Sequence, residues 1–310
     1  MEFIPRVNYV GNVFHFISNL ACWHFSCRKW YNDFWIHESG DLTNRENDAL
    51  IDAKALFLKY GFGANYWGKV FLRENDTVVW QKAKTAFKHD FSKFEGIFKT
   101  FEPRFQQFWK DDKNLLEQWA SRIKVINFLL TPPGLIEDLD VFFGQKADPR
   151  TIEIFLQINV PGNSACGGSV IGPGAITLEL SRTSFGFLRP VILVMWHELV
   201  HNIWQNNNYW KIIEDFTKEI KSPSPVKDVS WQELINETIT ESLFPHGYLA
   251  QKHFGFPSQE YFKKQLNTGN WRDLSAHGLF SLAKDYIESN KPLDINFFEE
   301  VVRVISQKHE

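Results

Sequence analysis

Cysteine is scarce in this chain, which holds Cys22, Cys27 and Cys166 among 310 residues. Three cysteines are too few for a disulfide scaffold and leave at least one thiol unpaired, although Cys22 and Cys27 could pair in an oxidising compartment. Long apolar runs are missing too, because no stretch approaches the roughly eighteen residues that a membrane span needs. We therefore expect a folded protein without a membrane span.

Neither sign of charge dominates the sequence. It has 34 Lys and Arg against 37 Asp and Glu, a formal net charge of -3. Without a basic excess, we expect no nucleic-acid partner and no anionic-membrane partner. The N-terminus, MEFIPRVNYVGNVFHFISNL, lacks the basic, apolar and small-residue order of a signal peptide. A secreted or periplasmic location would follow if a signal peptide has been removed, and otherwise the location stays open.

Helical signals fill residues 1–130. Thr43 and Glu46 form a capping-box pattern at the start of one predicted helix. Phenylalanines then recur at alternating steps of four and three from Phe87 to Phe108. This spacing lines one side of a helix, or of two helices that meet at Pro103, since proline removes a hydrogen bond from a helix interior. We predict a mainly helical N-terminal region over 1–130.

Strand signals begin after a Pro-Pro-Gly break within Leu129–Leu135. The runs Thr151–Val160 and Ala175–Ser181 predict two strands, and the glycine-rich stretch between them suits a hairpin loop or an edge strand. A helix is predicted from about Trp231, with Ser230 as its N-cap. The expected fold class is α+β, mostly helical, with a small mixed sheet beside the helix described next. Residues 131–310 would form the second region.

The segment PVILVMWHELVHNIWQ, residues 190–205, is apolar nearly all round and yet holds His197, Glu198 and His201. These three form the pattern H-E-x-x-H. On an α-helix, residues i and i+4 are about 40° apart around the axis and about 6 Å apart along it, so both imidazoles can converge on one ion. Imidazole suits zinc, and Glu198 stays free to act on a metal-bound water. The apolar neighbours disfavour a solvent-exposed helix face as the alternative explanation.

A third protein ligand is needed for a catalytic zinc site. Downstream, Glu233, Glu237 and Glu241 follow at steps of four on one helical face. Such a row is also typical of a solvated face. However, the same helix carries Leu234, Ile235, Ile239, Leu243 and Phe244, so part of it must pack inward.

HELVH followed by NETITE, residues 236–241, resembles the gluzincin metallopeptidases typified by thermolysin. Their second motif is N-E-x-x-S-D, and this chain departs from it with Thr240 for serine and Glu241 for aspartate. The resemblance rests on these two short segments. It implies a zincin-like fold for residues 131–310, with Glu237 as the third ligand of one zinc ion per chain. It also implies that Asn236 and Glu241 support the ligands, Glu241 by accepting a hydrogen bond from a ligand histidine.

The same resemblance implies a hydrolase, a zinc-dependent peptidase acting on peptide or protein substrates. Glu198 would take the proton of the zinc-activated water and pass it to the leaving amine. The oxyanion would need one more hydrogen-bond donor, for which His246, Tyr248 and His277 are candidates and His277 is preferred. No G-x-M-E-N stretch precedes the motif, which favours an endopeptidase.

Substrate binding is expected at the edge strand predicted within Gly167–Gly174, at Ser169, Val170 and Ile171. In gluzincins a sheet edge near the zinc pairs with the substrate backbone, and a free strand edge suits that pairing.

Two alternatives remain at this stage. One is a peptide-deformylase-like amidase with Cys166 as the third ligand, although NSACGGSV does not look like the deformylase motif. The other is a zinc-stabilised binding protein without catalysis. Glu198 argues against the second, because a purely structural site has no need of it.

Overall fold

The computed structural model describes the chain outside residues 24–26, 28, 61–70, 72–75, 148–150, 161–166, 182–186, 228, 267–269 and 310. It divides into two compact units. The first, here the sheet unit, contains Glu2–Ile126 and Thr151–Leu188. The second, here the motif unit, contains Asn127–Arg150 and Arg189–Glu310 with Met1.

The sheet unit contains a four-stranded mixed sheet in the order β1-β2-β4-β3. Its strands are β1 (Glu2–Val7), β2 (Thr151–Ile158), β3 (Gly168–Gly172) and β4 (Ala175–Leu180). β1 and β4 pair with β2 in parallel, while β3 pairs with β4 antiparallel. All six residues of β4 are buried, as a strand covered on both faces requires. The prediction of a small mixed sheet is confirmed.

Helices of the sheet unit pack on this sheet and on one another. They are α1 (Tyr9–Leu20), α2 (Lys29–Ser39), α3 (Asn44–Tyr60), α4 (Asp76–Phe87) and α5 (Phe91–Val125). The capping box at Thr43 and Glu46 forms as predicted at the start of α3. α5 runs through Pro103 without a break, and Pro103 is exposed, so water can hydrate the carbonyl that loses its partner.

The motif unit is helical throughout its described elements. These are α6 (Leu135–Phe143), α7 (Leu188–Leu199), a π-helix (Val200–Trp204), α8 (Asn207–Lys218), α9 (Trp231–Leu243), α10 (Tyr248–Phe254), α11 (Ser258–Gln265), α12 (Trp271–Glu288) and α13 (Ile295–His309). A short 3-10 helix covers Asn127–Leu129, and another, in the sheet unit, covers Lys88–Asp90. Within the described residues, no helix is both long and apolar enough to cross a membrane.

α9 is central to the motif unit, since it packs against α8, α12 and α13. Its start is defined by a capping box in which Ser230 and Glu233 exchange hydrogen bonds, so the predicted N-cap is confirmed. Most of its remaining residues are buried. A carboxylate on a helix buried this far needs a hydrogen-bond or charge partner, and α9 carries Glu237 and Glu241.

Two features differ from the sequence expectations. β1 lies in a region predicted to be helical; it is short, contains Pro5, and survives because it is an edge strand. In addition, β2 to β4 group with the N-terminal helices rather than with residues 189–310. The reason is the pairing of β1 with β2, a contact between residues about 150 positions apart that no local pattern reveals.

Candidate metal centre

His197 and His201 come from the two parts of one helical segment. His197 lies near the end of α7, and His201 lies in the π-helix that continues it. The expectation of one regular α-helix through both is therefore met only as far as Leu199. The two Nε2 atoms face each other at 3.1 Å, and the His197 residue is 8% exposed.

Glu237 reaches the same point from α9. Its Oε2 lies 3.8 Å from His197 Nε2, and its Oε1 lies 3.7 Å from His201 Nε2. One ligand atom from each of the three residues lies within 4.8 Å of the other two. Among the described residues, this is the one group of three or more His, Cys, Asp and Glu side chains close enough to hold an ion.

The three side chains fit a metal ion. A tetrahedral zinc with bonds of about 2.0–2.1 Å separates two nitrogen ligands by about 3.3 Å, close to the spacing of the two Nε2 atoms. Glu237 Oε2 is buried and has no hydrogen-bond partner. A buried carboxylate oxygen without a partner is costly, and a bound cation would remove that cost.

The remaining ring nitrogen of His197 is held by the main chain. His197 Nδ1 lies 2.9 Å from the carbonyl oxygen of Phe244. A carbonyl only accepts, so Nδ1 carries the proton and Nε2 keeps its lone pair for a metal. Phe244 is suitably placed because it ends α9, where its own N–H donates to the Thr240 carbonyl.

His201 is held by side chains instead. Its Nδ1 lies 2.8 Å from Gln205 Oε1 and 3.2 Å from Asn236 Nδ2. The structure thus brings Asn236 to His201, one of the candidate ligands. Gln205 was not singled out from the sequence, although its spacing of four from His201 was visible in HELVHNIWQ.

Electrostatics favours the protonation states that metal binding needs. Burial, reinforced by repulsion from His201, lowers the pKa of His197 to about 3, so its ring is neutral at neutral pH. For Glu237, burial raises the pKa, but attraction to protonated His201, to Arg272 and to protonated His197 outweighs it, and the net shift is downward. A neutral His197 ring and an ionised Glu237 carboxylate are the protonation states in which these two groups bind a metal.

Two further side chains at this site had no sequence signal. Arg272 of α12 places Nη1 3.6 Å from Glu237 Oε2 and is about one-third exposed. The hydroxyl of Tyr209, on α8, is buried and has no hydrogen-bond partner. Burial and the nearby charge of Glu237 raise the pKa of Tyr209, so it stays a phenol. Arg272 approaches Glu237 through tertiary packing, which spacing along the chain cannot reveal, and Tyr209 is close enough for the charge of Glu237 to raise its pKa.

Glu198 is buried, at 8% exposed, beside the first ligand. It is outside the group of candidate ligands. Its negative charge is close enough to contribute to the raised pKa of Glu241. The role of Glu198 as general base stays a prediction.

Glu241 does not have its predicted partner. The Nδ1 atoms of His197 and His201 are directed to Phe244 and Gln205, so neither donates to Glu241. Burial raises the pKa of Glu241 well above its usual range, since the nearby charge of Arg272 only partly offsets that burial. The carboxyl group that the resemblance assigns to ligand support is thus biased towards its neutral form.

His277, the preferred oxyanion donor, packs its ring against Phe262 of α11, with 5.4 Å between centroids. It follows Arg272 by five positions on α12, which places it about 140° further around the helix. A role of His277 as the oxyanion donor stays a prediction.

The other two donor candidates have partners of their own. The Tyr248 hydroxyl donates to Glu288 Oε1 at 2.8 Å. His246 stacks on Tyr261 at 3.7 Å between centroids, and burial lowers its pKa to about 4. A donor role for either residue stays a prediction.

The predicted substrate-binding residues Ser169, Val170 and Ile171 lie on β3, which is an edge strand as expected. The Ile171 side chain is buried in a core cluster with Phe155 and Ala175. A role of this strand in substrate binding stays a prediction.

The alternative third ligands stand as follows. Glu233 belongs to the capping box of α9. Cys166, the ligand of the deformylase-like alternative, lies outside the described residues. Cys22 and Cys27 do not form a disulfide.

No protein-family profile, curated protein sequence or solved structure matches this chain. Its function must therefore be argued from the geometry of the site.

Proposed function

We propose that this protein is a zinc-dependent metallopeptidase of gluzincin type that cleaves peptide bonds within its substrates. One observation carries the proposal: His197, His201 and Glu237 converge on one point, with the Nδ1 atom of each histidine held by an acceptor. That arrangement leaves three lone pairs directed at a common position in a buried site.

Zinc, when bound there, would lower the pKa of a water and polarise the scissile carbonyl. Glu198 would act as general base on that water and then return the proton to the leaving amine. Glu198 is buried directly after His197 in the chain, which places it at the proposed metal site.

Tyr209 and Arg272, rather than His277, are the donors we assign to the carbonyl oxygen as negative charge develops on it. The Tyr209 hydroxyl is buried near Glu237 with no partner to lose, so it can donate at no cost to the fold. Arg272 already lies beside the third ligand. Removing one such donor typically lowers the rate about a hundredfold to a thousandfold.

The donor set alone does not select zinc. Two histidines and one carboxylate also hold iron(II) in oxygenases. Glu198 favours the hydrolase, since a buried general base beside the ligands is what peptide hydrolysis needs. The competing proposal is that the protein is a zinc-stabilised binding protein that has lost catalysis.

The test compares wild type with Glu198→Gln. Both are analysed for metal content, for thermal unfolding and for cleavage of a mixture of synthetic peptides followed by mass spectrometry. The expected result is that Glu198→Gln keeps the zinc and the fold but loses cleavage by at least a hundredfold, because it removes the base alone.

Equal cleavage by both proteins would contradict the role of Glu198. Zinc in both proteins without cleavage by either would favour the non-catalytic binding protein. Iron in place of zinc would overturn the choice of metal and the peptidase with it.

A further inference from the structure

Gln205 occupies an unusual place beside the proposed metal site. It ends the π-helix and is 5% exposed, and its Oε1 lies 2.8 Å from His201 Nδ1. It belongs to neither of the two motifs that the sequence shares with gluzincins. A buried amide between His201 and α9 needs hydrogen-bond partners on both sides, and these partners determine its orientation.

The orientation of the Gln205 amide follows from the Thr240 hydroxyl, which can accept a hydrogen bond from it but cannot donate one. The Thr240 hydroxyl lies 3.0 Å from the main-chain carbonyl of Asn236, and that contact is a hydrogen bond only if Thr240 donates. Having given its proton away, Thr240 Oγ1 accepts from Gln205 Nε2 at 2.9 Å. The oxygen of the Gln205 amide must then face His201.

This order of donors fixes the tautomer of His201. Because Gln205 Oε1 accepts, His201 Nδ1 carries the proton and Nε2 keeps its lone pair towards Glu237. As placed, the Asn236 amide nitrogen lies 3.2 Å from the same Nδ1, so two donors face each other, while Asn236 Oδ1 is buried without a partner. Turned over, that amide would accept the same proton.

We infer that Gln205 is a positioning residue for the metal site, which acts by holding His201 in the tautomer that binds metal. The inference rests on the proposed metal site. Without the Gln205 acceptor, the alternative tautomer with a proton on Nε2 becomes available, and that proton would point at the ion. Losing such a partner typically lowers metal affinity about tenfold to a hundredfold.

Three variants and one control separate this role from simple packing. Gln205→Leu removes the acceptor, whereas Gln205→Glu keeps it. Thr240→Val removes the hydroxyl that orients the amide. Gln251→Leu, at an exposed glutamine of α10, controls for the substitution itself. Thermal unfolding shows which variants are folded.

Zinc affinity is measured by competition with a chelating dye, and the tautomer of His201 by 15N NMR on metal-free protein. We expect Gln205→Leu to bind zinc ten to a hundred times more weakly, Gln205→Glu to stay near wild type, and Thr240→Val to fall between them. Metal-free wild type should show His201 protonated at Nδ1, and Gln205→Leu a mixture of both tautomers.

Unchanged zinc affinity in Gln205→Leu, or a wild-type His201 protonated at Nε2, would overturn the inference. If Gln205→Leu does not fold, Thr240→Val and Gln205→Glu decide the matter. The proposed function fails separately: wild type without zinc, or with zinc and no peptide cleavage, would refute it while the NMR measurement still tests Gln205.

Discussion

Each unit of this molecule buries a cluster of ionisable side chains, and the two clusters are completed differently. In the sheet unit, the guanidinium of Arg104 donates to both carboxylate oxygens of Glu46, at 2.7 and 2.8 Å. It also donates to the carbonyls of Ser39, Gly40 and Asp41 and to the Ser39 hydroxyl, at 2.7 to 2.9 Å. We call these residues the Arg104 cluster.

The corresponding group in the motif unit, the His197 cluster, consists of His197, His201, Glu237 and Tyr209. Here Glu237 Oε2 and the Tyr209 hydroxyl are buried without hydrogen-bond partners. Two imidazole nitrogens face each other across 3.1 Å. The contrast teaches that burial of charge alone does not mark a functional site. A functional site is indicated instead by a buried cluster whose polar atoms lack hydrogen-bond partners within the protein, because a bound ligand can supply those partners.

The largest expected effect is on the completed cluster. Glu46→Gln leaves Arg104 buried with its carbonyl acceptors but without its counter-charge. Breaking one side of a buried ion pair costs about 3–5 kcal/mol, so the free energy of unfolding should fall by about that amount. Chemical denaturation measures it, with Glu299→Gln, at an exposed glutamate, as the control expected within about 0.5 kcal/mol of wild type. A change no larger than the control's would make the Arg104 cluster energetically unimportant.

The pH dependence of stability should come next in size. The hydrogen bond from Arg104 lowers the pKa of Glu46 from 4.5 to about 2, in spite of burial. A lowered folded-state pKa stabilises the fold above pH 4.5, and that stabilisation is lost as pH falls towards 2. The difference in unfolding free energy between wild type and Glu46→Gln should therefore shrink by ~3 kcal/mol over this interval. A difference that is constant with pH would disprove the linkage.

The smallest effect is expected where the cluster is incomplete. Tyr209→Phe removes a buried hydroxyl that has no partner, so stability should stay the same or rise by up to about 1 kcal/mol. The matched control is Tyr248→Phe, which removes a hydroxyl bonded to Glu288 and should cost about 1 kcal/mol. If Tyr209→Phe is the more destabilising of the two, the Tyr209 hydroxyl has a partner within the fold, and the proposed difference between the Arg104 cluster and the His197 cluster is wrong.

Local sequence patterns were sufficient for the parts of the fold that one segment determines alone. The capping box at Thr43, the N-cap Ser230 and the strands β2 and β4 follow from residue type and spacing within ten positions. The same holds for the H-E-x-x-H pair, whose convergence is a property of one helical segment. The third ligand needed a resemblance, because Glu233, Glu237 and Glu241 are equivalent by spacing alone.

What the sequence could not predict depends on packing between distant segments. Arg272 reaches Glu237 only because α12 lies against α9, and Tyr209 only because α8 does. The hydrogen bond predicted for Glu241 was wrong for the same reason. At the end of α9, the Phe244 carbonyl occupies the position beside His197 Nδ1 that a carboxylate would need. The change to a π-helix after Leu199 also has no signature in residue type.

Metal content by elemental analysis tests the central claim most directly, on wild type, Glu237→Ala and Glu46→Gln. The account predicts one zinc ion per chain in wild type and in folded Glu46→Gln, and little in Glu237→Ala, because only the His197 cluster needs an ion to complete it. Wild-type zinc content in Glu237→Ala, or no zinc in any of the three after reconstitution, would contradict it.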